Sequence, residues 1–145
     1  MRRVITMLAA TGLLLVACSS SSGSATPDPA IAFCPALDAY GASLIALDKL
    51  DATATTAQYK AAVATAKTAL VALTSVAGAY AGAQLNTLSS AQQDLEAAAD
   101  DLNPVTTTPA QAEAALSDEL QAVIQQVAGT RNALCNTRPT PSTAP

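Results

Sequence analysis

Apolar side chains recur at steps of three and four through most of this chain, which is the spacing of one face of an α-helix and not the alternation of a strand. Four helical segments follow. The first, about 35–51, carries Leu37, Tyr40, Leu44 and Leu47 on one stripe, with Pro35 in its first turn. The second, about 56–78, opens behind Thr55 and Gln58 in capping-box spacing, and its stripe runs Tyr59, Val63, Ala66, Leu70, Leu73, Ala77, Tyr80. Gly78 and Gly82 mark the turn that follows. The third, about 84–103, places Leu85, Leu88, Ala91, Leu95, Ala98 and Leu102 inward and stops at Asn103-Pro104. The fourth starts at Thr108-Pro109-Ala110-Gln111, a second capping box with proline at the first helical position, and carries Leu116, Leu120, Val123, Val127 and Leu134. Proline is absent from Ala36 to Asn103, as helix interiors require, and the chain holds 35 alanines, the strongest helix former. Short connections force neighbouring helices to run antiparallel. The expected fold is therefore all-α, an antiparallel up-down four-helix bundle; a three-helix bundle with one kinked long hairpin is the alternative.

The two ends of the chain follow a different pattern. Residues 1–18 read MRRVITMLAATGLLLVAC, two arginines and then an uncharged run from Val4 to Ala17. That layout is a secretory signal, with an apolar run shorter than the ~20 residues a spanning helix needs. Leu15-Val16-Ala17-Cys18 resembles the lipobox of bacterial lipoprotein precursors, matching at all four positions. The resemblance implies cleavage before Cys18, acylation of Cys18, and a mature protein anchored to a membrane, outside the cytoplasm, without spanning it. The Ser- and Pro-rich stretch 18–33 then reads as the lipidated cysteine and a flexible tether, 34–136 as the helical domain, and 137–145 as a disordered tail. In a general way the mature region is similar to small Ala- and Thr-rich envelope lipoproteins of actinobacteria, a likeness that implies no activity.

Composition narrows the function. A chain of 145 residues with both ends set aside leaves room for one domain. Seven Lys plus Arg face eleven Asp plus Glu, and removal of the signal leaves five against eleven, a net charge of −6. Nucleic acid needs a basic footprint, so it is not an expected partner. Histidine is absent, which removes the usual general base and the commonest metal ligand, and no phosphate-cradling glycine loop, nucleophile elbow or dinucleotide fingerprint is present. The expectation is a non-enzyme without a cofactor.

With Cys18 assigned to lipid, Cys34 and Cys135 remain. In an up-down bundle they lie at the same end, and an oxidising location permits a bond between them; two unpaired buried thiols are the other outcome. A metal site on this pair would lack its third and fourth ligands. Gly41 and Gly129 then fall at nearly the same level, where two facing glycines would let the helices approach closely, unless they are unrelated.

The densest charged group, Asp94, Glu96, Asp100 and Asp101, closes the third helix, an unfavourable place for acids. The N-termini of helices two and four, with Lys60 and Lys49, are expected to compensate. A divalent-cation site has no EF-hand spacing to support it, and a carboxylate-pair glycosidase lacks aromatic rings. The expected contact surface is this end, through Asp48, Asp51, Glu96, Asp100, Asp101 and Glu113. The opposite end, where the tether enters near Arg131 and Arg138, would face the bilayer. Two functional readings result: an envelope-attached module that binds a protein or the cell wall, and a carrier or sensor of a small apolar ligand, such as a lipid, between helices.

Overall fold

The computed structural model describes residues 28–136; the signal, Cys18, most of the expected tether and the tail lie outside these. Among the described residues there are four helices and no strand: α1 (Pro29–Asp48), α2 (Thr56–Ala77), α3 (Gly82–Asp100) and α4 (Pro109–Leu134). Helix α1 packs on α2 and α4, and α3 on α2 and α4, which is the neighbour relation of an up-down bundle. The ends agree with it: Cys34 at the start of α1 is bonded to Cys135 at the end of α4, with Cα atoms 5.8 Å apart.

Helix α1 starts six residues before the expected position, so residues 29–33 belong to the bundle and not to the tether. Asp28 caps it, accepting from the Ala30 N–H at 3.0 Å, and Pro29 occupies the first turn, where its missing N–H costs nothing. Pro35 is therefore inside the helix and leaves the Ile31 carbonyl without its usual donor. What holds the turn is Phe33, fully buried, whose ring meets that of Tyr80 edge-on at 5.5 Å, together with the adjacent disulfide.

The caps of α2 and α4 form as their sequences predict. Thr55 accepts from the Gln58 N–H while Gln58 reaches back to the Thr55 N–H, and Thr108 and Gln111 repeat the arrangement. Of the α2 stripe, Tyr59 through Ala77 is buried, and Tyr80 is half-buried beyond the helix with its hydroxyl donating to the Leu134 carbonyl at 2.9 Å. Gly78 turns the chain with φ +49° and ψ −133°, a conformation costly for any residue with a Cβ.

The inward face of α3 is rotated from the expected one. Gln92 and Ala99 are buried, whereas Ala91 and Ala98 are half-buried. A glutamine at that position is tolerated because the buried Tyr40 hydroxyl donates to its Oε1 at 2.9 Å, which satisfies both groups. On α4, Ala112 and Thr130 are buried beside Leu116, Leu120 and Val123, while Val127 and Leu134 are only half-buried.

Gly41 and Gly129 do not meet. A Cβ on Gly41 would sit 3.3 Å from Val127 Cγ1, whereas Gly129 has open space around it. The antiparallel register explains this: Cys34 with Cys135, Asp38 with Arg131 and Asp48 with Gln121 place Gly41 level with Val127 and Ala128. A step of one residue turns a helix by about 100°, which carries Gly129 to the outside. Gly41 thus does permit a close approach, but to a valine.

Candidate functional site

The acidic end is built by the last turn of α1, the first of α2, the last of α3 and the first of α4. Two hydrogen-bonded ties hold these together. The Thr56 hydroxyl donates to the Thr107 carbonyl at 3.2 Å, joining α2 to the α3–α4 connection. The Tyr59 hydroxyl reaches the carbonyls of Leu50 and Asp51 at 3.2 and 3.0 Å, closing the α1–α2 connection. Burial, then the charges of Glu113 and Asp51, push the Tyr59 phenol above its ordinary value. The α3–α4 loop is ordered by Asn103, whose side chain accepts from the Val105 and Thr106 N–H groups, while its own N–H donates to the Thr107 hydroxyl.

The six acids singled out as a contact surface are distributed around this end. On the α2–α3 side, Glu96 pairs with Lys67 at 2.6 Å, and Lys60 donates to the Asp100 main-chain carbonyl at 3.2 Å. These residues line a shallow concavity of about 180 Å³. Asp101 faces a wider one of about 490 Å³, with Leu102, Thr106, Thr107 and Gln111. On the α1–α4 side, Asp48 and Glu113 flank a small cleft of about 70 Å³, and Asp48 accepts from Gln121 at 3.3 Å. Asp51 bends back on its own loop, accepting from the Thr53 hydroxyl and N–H at 2.6 and 2.8 Å, and the hydroxyl bond first of all holds its carboxyl below the usual range. Among the described residues no group of three or more His, Cys, Asp or Glu side chains is arranged to hold a metal ion.

Compensation of these acids therefore comes partly from a residue the sequence did not single out. Lys60 caps the end of α3 through a carbonyl, as a cation near a helix C-terminus does, but the ion pair belongs to Lys67. Its hydrogen bond to Glu96, reinforced by that carboxylate's charge, raises the Lys67 ammonium above its ordinary value. Glu96 also accepts from Gln92 Nε2 at 3.3 Å. A polar chain thus crosses the bundle, from Tyr40 on α1 through Gln92 and Glu96 on α3 to Lys67 on α2. Burial, and then Glu96, push the Tyr40 phenol far above the tyrosine range, so it stays neutral and donating. The three-and-four spacing of Gln92 from Leu88 and Leu95 was the only sequence signal for its burial.

A second feature lies on the α1–α4 face. Leu37, Gly41, Leu44, Ile45, Ile124 and Val127 line an apolar groove of about 270 Å³, open to solvent past the exposed Ile45 and Ala128. The ion pair of Arg131 with Asp38, at 3.2 Å, closes the groove toward the disulfide. Arg131 is thereby charge-compensated within the domain, not free as the sequence suggested for a membrane-facing cation; Arg138 lies outside the described residues. Comparison of the chain with protein-family models, with curated proteins and with solved structures finds no match.

Proposed function

We propose that this chain is an envelope lipoprotein, held on a membrane outside the cytoplasm by acyl chains on Cys18, whose helical domain is a non-catalytic module for binding another protein or the cell wall. The observation that carries this reading is the division of the three cysteines. Cys34 and Cys135 bond to each other, a pairing that persists in oxidising compartments, and the remaining one stands in the lipobox spacing Leu15-Val16-Ala17-Cys18. Helices α1 and α2 are long and apolar enough to cross a membrane by length and composition. Their apolar stripes are nevertheless the core of the bundle, which favours an anchored domain over a spanning one. Every buried side-chain nitrogen and oxygen among the described residues has a hydrogen-bond partner, and at the acidic end Asp100, Asp101 and Glu113 are exposed to solvent.

Metabolic labelling with an alkyne fatty acid tests the anchor. The wild-type chain takes up label and sediments with membranes, and Cys18→Ala takes up none; a labelled, membrane-bound Cys18→Ala chain overturns the reading. The second reading, a carrier of a small apolar ligand such as a lipid, is favoured by the α1–α4 groove alone. Organic extraction of the purified protein and mass spectrometry distinguish the two, since a carrier yields a stoichiometric lipid besides the anchor.

A further inference from the structure

Among the described residues, the Cys34 end of the bundle carries little charge besides Asp28, which caps α1. No charged residue occurs between Lys67 and Asp94, a stretch that contains the last half of α2, the turn at 78–81 and the first half of α3. None occurs between Asp28 and Asp38 on α1. Asp38 and Arg131, the nearest charges up the bundle, neutralise each other at 3.2 Å. The same end carries exposed apolar side chains: Ile31 is 62% exposed, Val71 61% and Val76 40%. Among the described residues the other large exposed apolar side chains are Ile45 in the groove and Val105 in the α3–α4 loop. That these turns form one end is fixed by contact, since Tyr80 packs on Phe33 and hydrogen-bonds Leu134.

We propose that this end is a seat on the lipid surface, in which the first turn of α1 around Ile31 and the last turns of α2 around Val71 and Val76 rest among the headgroups. The proposal deepens the lipid-anchored reading and rests on it. Its occupant follows from where the chain enters. Cys18 and Asp28 are ten residue steps apart, so an acylated Cys18 keeps the start of α1 within ~35 Å of the bilayer however the intervening residues are arranged. A tethered surface meets its target at high effective concentration, so even a weak apolar contact is populated. Charge selects the same end. Apart from Asp28 and Asp38, the acids of the described residues, from Asp48 and Asp51 to Asp118 and Glu119, belong to the far half, which an anionic leaflet repels within a Debye length of about 8 Å. Attraction of Arg131 to headgroups is not needed, because Ile31 and Val76 enter the interface without stripping water from an ion, while the exposed Asp28 that caps α1 limits how deep the first turn goes.

The chain contains no tryptophan, so single-tryptophan variants report position cleanly. Val76→Trp and Ala79→Trp probe the seat, and Ser117→Trp, on the exposed face of α4 in the far half, probes the opposite end. Each is read on phosphatidylglycerol-containing vesicles made with brominated lipid, in two forms: the full acylated chain, and a Cys18→Ala chain held by a histidine tag placed before residue 19 on a nickel-chelating lipid. In both forms quenching at positions 76 and 79 is at least twofold that at 117 and survives 0.5 M salt, and adding Ile31→Glu at least halves it. Equal quenching at the three positions, or none at any in vesicle-bound protein, overturns the seat. Because the tagged form needs no acylation, failure of labelling at Cys18 sinks the anchor without touching this result.

Discussion

The two ends of the bundle are closed by different means. At the Cys34 end a disulfide, an edge-on pair of rings and a tyrosine bonded to a helix-terminal carbonyl join α1, α4 and the α2–α3 turn, with little charge. At the acidic end no covalent link is made. Two capping boxes, two hydroxyl-to-carbonyl ties and Lys60 on the end of α3 satisfy the backbone, and the carboxylates stay at the surface. The contrast follows from composition: a core of alanine, valine and leucine buries little area per residue, so the ends must contribute closure of their own. An end that is covalently sealed can be left without polar groups, while an end that is hydrogen-bonded can carry charge.

The largest expected effect is at the sealed end. The bond between Cys34 and Cys135 spans a sequence separation of 101, and a loop of that size contributes about 4 to 5 kcal/mol by restricting the unfolded chain. Cys34→Ser with Cys135→Ser, followed by urea unfolding, should lose stability of this order, and hydrogen exchange should rise first at 29–36 and 130–135. Uniform loss of protection would mean that the two ends are not independently closed.

Next comes the polar chain between the ends. Gln92→Leu keeps the volume and removes the acceptor of the buried Tyr40 hydroxyl, at an expected cost of about 1 to 3 kcal/mol. Adding Tyr40→Phe should recover much of that loss, because no orphaned group then remains. Additive losses in this double-mutant cycle would show that the pair is incidental to packing. At the α2–α3 turn, Gly78→Ala forces a Cβ into a positive-φ conformation and should cost on the order of 1 to 3 kcal/mol in the same denaturation assay.

Smaller effects belong to the acidic end. Thr55→Ala and Thr108→Ala each remove a cap and should cost about 1 kcal/mol, and because the adjacent Thr56 and Thr107 are hydrogen-bonded to each other the two losses should couple, not simply add. The ion pair of Lys67 and Glu96, with the lysine side chain 60% exposed, is worth at most about 1 kcal/mol and should fade with salt. Acidity acts here as well. Asp51, held below its ordinary 3.8, stabilises the fold above that value, and its contribution disappears as pH falls through the lowered one. Lys67, Tyr40 and Tyr59 are raised, so their contributions are complete below about pH 10 and are lost as pH climbs through the folded values. Thermal stability should be level from pH 5 to 9 and fall above 10, with Tyr40 ionising, by absorbance at 295 nm, only as the fold is lost.

The sequence by itself determined the helices and their order. Steps of three and four, together with prolines confined to Pro29, Pro35, Pro104 and Pro109 within the described residues, leave few other arrangements, and the capping boxes at Thr55 and Thr108 are local chemistry that reads the same in or out of a fold. It also made the Cys34–Cys135 bond expected, because antiparallel order alone brings those positions to one end. Only the tertiary structure decided the rotation of α3 that buries Gln92, since a polar side chain enters a core when a partner from another helix satisfies it, and Tyr40 is 52 residues away in sequence. The start of α1 at Pro29 was decided the same way, by Phe33 finding Tyr80 across the bundle. Gly41 met Val127 and not Gly129, and Lys67 met Glu96, because register and rotation between helices depend on how whole faces interlock. Such choices depend on contacts between segments far apart in the chain, and periodicity within one segment carries no information about them.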